Sequence, residues 1–126
     1  MVVFRTGAGE FAVAVDHVRE VRTTSGILPV PAPGPHVVGF LPDGDATLTV
    51  VSSLGSGDGQ VLVLEPDGQA FGVVVEEVSG VIPVNEDQIG RRPAGQTGGL
   101  VSGVVRGRAG LVLLVDARAL ARMLDP

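Results

Sequence analysis

The segment FAVAVDHVREV, residues 11–21, is written again sixty positions later as FGVVVEEVSGV, residues 71–81. Phe11 aligns with Phe71, Val13 with Val73, Val15 with Val75, Asp16 with Glu76, Val18 with Val78 and Val21 with Val81. A repeat at half the chain length calls for a fold built from two copies of one plan. A unit of about 60 residues buries only about 60% of its unfolded surface and is marginal alone, so the copies are expected to lean on each other. The 126 residues suit one domain. Its halves fall at approximately 1–58 and 59–115, with the join at GSGDG near Gly59, followed by a C-terminal helix over 116–124.

Four apolar ribbons, two in each copy, are each broken by turn residues. VVFRTGAGEFAVAV turns at Gly7-Ala8-Gly9, VVGFLPDGDATLTVV at Pro42-Asp43-Gly44, VLVLEPDGQAFGVVV at Pro66-Asp67-Gly68, and VSGVVRGRAGLVLLV between Gly107 and Gly110. Val-rich flanks around such centres predict β-hairpins, because Pro presets φ and Gly accepts the positive φ of a tight loop. Four hairpins give eight strands and a mainly β chain. Alternating strands in two groups suggest two small barrels, whose closure removes exposed edges.

Each second strand is followed by an Asp, Glu or Ser: Asp16, Glu76, Asp116 and Ser52. These residues suit the start of a helical turn, as caps or as dipole complements. Short helical turns are expected at Asp16–Val21 and Glu76–Val78, and a longer helix over DARALARMLD, with Leu120, Met123 and Leu124 at helical spacing. In SSLGSGDG, Gly55 and Gly57 stop the equivalent turn and make a flexible join. Pro29, Pro31, Pro33 and Pro35 impose an extended connector. The tract Gly90–Gly99 is expected to be the loosest internal loop.

The chemistry-bearing residues are sparse. Formal net charge is −5, lysine is absent and the only aromatics are four Phe, which argues against nucleic acid binding by a basic, stacking surface. The chain lacks cysteine, so disulfides and thiol chemistry are excluded. No apolar run reaches the ~18 residues of a membrane span. MVVFRTGAGEF lacks the features of a signal peptide, so a cytoplasmic protein without membrane insertion is expected. His17 and His36 lack metal-ligand spacing, no serine sits in a nucleophile elbow, and GAG at Gly7–Gly9 precedes a strand where a dinucleotide fingerprint must open a helix. DGD at Asp43–Asp45 and SGDG at Ser56–Gly59 lack the spaced acids of a calcium loop. No catalytic residue, metal or cofactor is expected. Around Val18 and Val21, the charges of Arg19, Glu20 and Arg22 make either an amphipathic turn or a protein-binding groove with an apolar floor and charged rim.

FAVAVDHVREV, ILPVPAPGPHVVGF, FGVVVEEVSGVIPVNEDQI and LVLLVDARALARML together resemble, in order and spacing, the CheW-like domain family. The similarity runs from Val3 to Leu124. It implies two small five-stranded barrels, SH3-like or OB-like, packed on a shared apolar core. It further implies an adaptor, not an enzyme, that links the regulatory domain of a CheA-type histidine kinase to the cytoplasmic tips of methyl-accepting chemotaxis receptors. By position, the receptor-contacting V-x-E falls on Val18 and Glu20, and the Gly opening the family's G-[VI]-x-N-L-R-G falls on Gly39. The kinase-facing loop falls on Leu41, Pro42, Asp43, Gly44 and Asp45.

That loop departs from the family pattern. Its Asn and Arg are missing, and Asp43 replaces donors with an acceptor-only group. Against an unchanged partner this costs roughly 2–5 kcal/mol. Two alternatives therefore accompany the adaptor reading. One is a degenerate domain that keeps the fold and has lost kinase coupling, serving as decoy or structural module. The other is a small serine hydrolase using Ser52, His36 and Asp43.

Overall fold

The computed structural model describes residues 1–30, 34–92 and 99–124. The first predicted hairpin joins β1 (Val2–Thr6) to β2 (Gly9–Val13), and β3 (Val18–Thr23) and the two-residue β4 (Leu28–Pro29) follow. A second hairpin joins β5 (Val37–Asp43) to β6 (Ala46–Val51). The third joins β7 (Gln60–Leu64) to β8 (Phe71–Val75), with β9 (Glu77–Val81) after it, and the fourth joins β10 (Val101–Arg106) to β11 (Leu111–Val115). Helix α1 (Ala117–Leu124) closes the order. Its start is capped as expected, since the Ala119 amide donates to Asp116 Oδ1 at 3.0 Å.

Two mixed sheets result, ordered β10-β11-β2-β1-β9 and β3-β7-β8-β6-β5-β4. Without β4, the second order reads backwards as β5-β6-β8-β7-β3, which matches the first strand for strand under the sequence repeat. The parallel pairs also correspond, Leu114 facing Ala12 in one sheet and Val50 facing Gly72 in the other. Each copy's leading hairpin therefore sits in the sheet completed by the other copy. The boundary near residue 58 does not separate the sheets: strands within 18–75 form one, while those within 2–13 and 77–115 form the other.

Among the described residues, three apolar clusters fill the structure. The largest lies between the sheets and combines Phe4, Phe11, Leu62, Leu64 and Phe71 with Leu120 of α1. The Phe4 and Phe11 rings stack there at 5.7 Å, a separation typical of favourable aromatic pairs. A second cluster, with Leu41, Leu48, Val61 and Val63, lies on the other side of one sheet, and a third, with Val3, Ala12, Val105 and Val112, on the other side of its partner. Along β7 the residues alternate between clusters, Val61 and Val63 going to one and Leu62 and Leu64 to the other. Burial on both faces explains why these strands read as unbroken apolar runs. The shared core and the paired barrel-like sheets agree with the predicted fold class.

Two local expectations are overturned. The helical turn predicted over Asp16–Val21 is limited to a 3₁₀ turn at Val15–His17, and Val18–Thr23 is strand β3, paired antiparallel with β7. The turn expected at Glu76–Val78 is likewise replaced by β9, paired with β1. β-branched valines favour a pleated strand once a partner strand is present. A β-bulge between Val18 and Glu20 interrupts the alternation, which makes the segment mimic a helical period.

The join at GSGDG is also not flexible. Gly7 N donates to Ser56 O at 2.8 Å, Gly59 N to Val75 O at 3.2 Å, and Thr6 Oγ1 to Leu54 O at 2.7 Å. A Cβ on Gly57 would lie 2.5 Å from the Val75 carbonyl carbon, and one on Gly59 2.1 Å from Glu76 O. The glycines are there for close backbone approach. Pro31, Pro33 and most of the Gly90–Gly99 tract lie outside the described residues; Gly90 itself bridges to Val104.

Candidate functional site

The bulge between Val18 and Glu20 leaves Arg19 as the extra residue of β3, and such an insertion re-aims a side chain. The Arg19 guanidinium spans to the β5–β6 hairpin and donates to both Asp43 carboxylate oxygens, Nη2–Oδ1 at 2.9 Å and Nη1–Oδ2 at 3.0 Å. Glu65 Oε2 accepts from Nη1 at 3.5 Å, and Glu20 Oε2 lies 3.2 Å from Nε. One turn of the pleat further on, Arg22 Nη1 donates to the Pro42 carbonyl at 2.8 Å. β3 and β5 are not hydrogen-bonded neighbours, so these side chains close the barrel where the backbone does not. The bidentate bond to Arg19 holds the Asp43 carboxyl below its ordinary range, against the opposing effect of burial. The same bond raises the Arg19 guanidinium.

The predicted site residues separate into two kinds. Val18 is half-buried and packs against the inter-sheet cluster, as does its repeat partner Val78, while Glu20 is exposed. Pro42, Gly44 and Asp45 are exposed at the hairpin, and Asp43 is half-buried. The tight turn is Gly44-Asp45, one residue later than predicted, with Gly44 at φ 61° and Asp43 paired across it to Ala46. Gly39 and Leu41 are not surface residues. Leu41 is 1% exposed and belongs to the barrel interior. A Cβ on Gly39 would lie 2.3 Å from the Leu28 carbonyl oxygen, so Gly39 lets β4 approach β5. Their contribution to any contact is through packing.

The structure brings the two predicted surfaces together: the V-x-E strand and the Pro42–Asp45 hairpin share Arg19. Sequence reasoning missed this clasp. The signal was an acid at the hairpin where the resembled family carries arginine, with two arginines on a nearby segment. The residues of the hydrolase alternative are not assembled. Ser52 Oγ is directed to the backbone carbonyl of His36, at 3.5 Å. His36 precedes β5 and Asp43 ends it, a separation of about 20 Å at strand rise.

The repeat-equivalent region of the other sheet is built differently. Ser79 occupies the bulge position of Arg19, between Val78 and Gly80. Beside it lies an open groove of about 560 Å³, lined by Ile82, Val84, Val104 and Leu111 with Arg106 at the rim. Among the described residues no helix is long and apolar enough to cross a membrane.

Comparison with known proteins agrees with this architecture. Residues 43–125 match the family model described as CheW-like domain. The fold is similar to the crystal structure of the scaffolding protein TtCheW from Thermoanaerobacter tengcongensis, with a TM-score of 0.77 and 21% identity, covering 91% of this chain and 86% of that one. No curated protein matches the sequence. Over the segment containing the β5–β6 turn, the repeat-equivalent hairpins and the C-terminal helix, this chain belongs to the CheW-like domain family.

Proposed function

We propose that the chain is a non-enzymatic signalling adaptor that scaffolds a CheA-type histidine kinase regulatory domain and the cytoplasmic tip of a methyl-accepting chemotaxis receptor, in the cytoplasm. Family membership supports the scaffold class. The observation that carries the finer reading is β3, an edge strand that offers half-buried Val18 and exposed Glu20 and Val21 beside the seam between the sheets. An apolar floor with a charged border suits a helical partner. The kinase-facing surface is the hairpin of exposed Pro42, Gly44 and Asp45 with half-buried Asp43.

The test is titration of the purified chain with a receptor helical-hairpin tip and, separately, with a kinase regulatory domain. Val18→Asp and Glu20→Arg are expected to weaken receptor binding by roughly tenfold or more, about 1.4 kcal/mol. Wild-type protein that binds neither partner, or variants that bind the receptor as wild type does, would overturn the proposal.

A second reading, the fold retained with kinase coupling lost, is favoured by one observation: the Asp43 carboxylate is already engaged by Arg19. Receptor binding without kinase binding in the same titrations would select it.

A further inference from the structure

Glycine follows aspartate three times in the chain, at Asp43-Gly44, Asp58-Gly59 and Asp67-Gly68. Such a step can rearrange without an enzyme. The glycine nitrogen attacks the aspartyl carboxyl carbon, water leaves, and a succinimide ring closes. Water then reopens the ring at either carbonyl. Opening at the α-carbonyl leaves isoaspartate, with the main chain running through the former side chain. One water is lost and one regained, so the sum is an isomerisation. Closure needs a neutral carboxyl, because an ionised one does not release water. It also needs a free amide nitrogen and a rotation of ψ that brings that nitrogen beside Cβ. Glycine removes the side chain that would obstruct the attack.

Each of the three steps is guarded. At Asp58-Gly59 the guard is the backbone: Gly59 N donates to Val75 O at 3.2 Å, and Thr24 Oγ1 donates to Asp58 O at 3.0 Å. The two Pro-Asp-Gly turns have open surroundings. Among the described residues, nothing beyond the chain neighbours lies within 4 Å of a Cβ built on Gly44 or Gly68. There a two-pronged arginine holds the carboxylate, Arg19 for Asp43 and Arg118 for Asp67.

Asp67 is the more open of the two, its side chain 65% exposed against 24% for Asp43. Arg118 reaches it from α1, with Nε donating to Oδ2 at 2.7 Å and Nη2 to Oδ1 at 3.2 Å. This bond holds the carboxyl below its ordinary value, against the effect of burial and with a smaller contribution from His17. Asp67 stands at φ 53° and ψ 31°. In that left-handed conformation the Gly68 nitrogen points away from Cβ, so ring closure requires a large rotation.

We propose that Asp67-Gly68 is a latent isoaspartate site, kept in the aspartyl form by the Arg118 clasp on its carboxylate. Rearrangement would add one atom to the main chain and move the carboxylate off Arg118, so that α1 loses its tie to the β7–β8 turn. The freed α-carboxylate is the group to which an isoaspartyl methyltransferase passes the methyl of S-adenosylmethionine, forming an ester.

The experiment ages wild type, Arg118→Met and Arg118→Lys at neutral pH in water labelled with heavy oxygen. Isoaspartate is located by peptide mass spectrometry and counted by methyl transfer with an isoaspartyl methyltransferase as probe. At Asp67 it is expected to accumulate about fivefold faster in Arg118→Met, the upper range for an exposed ion pair. Arg118→Lys is expected to fall between, since lysine keeps the charge without the fork. The rate at Asp43 is expected to stay at the wild-type value. A Met variant that unfolds accelerates all three steps together, and Arg118→Lys then carries the comparison. A second pair isolates the role of the carboxylate: Asp67→Asn with and without Arg118→Met. The carboxamide is neutral in both, so its deamidation rate is expected to be the same.

Equal rates at Asp67 with and without the Arg118 substitutions overturn the proposal. Deamidation of the Asp67→Asn protein that Arg118→Met accelerates as strongly as the aspartyl reaction also overturns it, since Arg118 would then only brace the loop.

Discussion

Asp43 illustrates how much a single side chain depends on its neighbour's reach. At a hairpin where the resembled family carries a guanidinium, this chain presents a carboxylate, and Arg19 engages it from β3, a strand that is not its hydrogen-bonded neighbour. Asp43→Arg alone would set three guanidinium groups, with Arg19 and Arg22, around one turn. It is expected to lower the thermal midpoint, and combining it with Arg19→Asp to recover most of the loss; melting curves of the single and paired variants check this. Asp67 is a parallel case, held at φ 53° with its carboxylate bound by Arg118 at 2.7 and 3.2 Å. Hydrogen bonds from arginine lower both carboxyls from the ordinary 3.8. A lowered folded-state value means that the stabilisation is complete above 3.8 and disappears as pH falls through the lowered values. The Asp43→Asn, Asp67→Asn double variant is therefore expected to be less stable than wild type at pH 7, with the gap closing as pH falls below the ordinary carboxyl value of 3.8. Denaturant unfolding across that range measures it, and a constant gap would show that neither pair contributes. The departure at Asp43 was legible in the sequence. Its bond to Arg19 was not, because a bulge decides where Arg19 points.

Elements divide in the same way. The four hairpins, the apolar runs and the capped C-terminal helix were legible because each is specified by adjacent residues: Pro and Gly at turns, valines in runs, Asp116 ahead of an alanine-rich stretch. β3 and β9 were misread as helical turns, since their identity comes from pairing with strands far along the chain. The GSGDG join was misread for a related reason. Glycine suggests freedom when read locally, whereas Gly57 and Gly59 are glycine because the Val75–Glu76 backbone passes against them. Gly59→Ala must displace the Glu76 carbonyl, 2.1 Å from the new methyl position, and is expected to cost about 1–3 kcal/mol as overpacking does. Gly34→Ala, whose added carbon among the described residues meets only Val37 Cγ2 at 3.8 Å, serves as the near-neutral comparison in the same unfolding experiment.

At the scale of the whole molecule, the repeat was legible and the exchange between its copies was not. Strand order is set by non-local partners, and nothing in the β1–β2 hairpin says that it will lie between β9 and β11. The exchange predicts an outcome for a chain cut at Gly57-Asp58. The fragment 1–57 contains β3 without β7, and β1–β2 without β9 or β11; the fragment 58–126 is equally incomplete. Each alone is expected to be unfolded by circular dichroism, and an equimolar mixture to regain β structure and melt cooperatively. Either fragment folding by itself would refute the prediction. The exchange also restrains a swivel. Barrels joined by a single tether pivot freely, but here the chain crosses between the sheets twice, between β2 and β3 and between β8 and β9, and both sheets share one apolar cluster. Whatever grips one end of this molecule turns the opposite end with it, as a rigid bracket does.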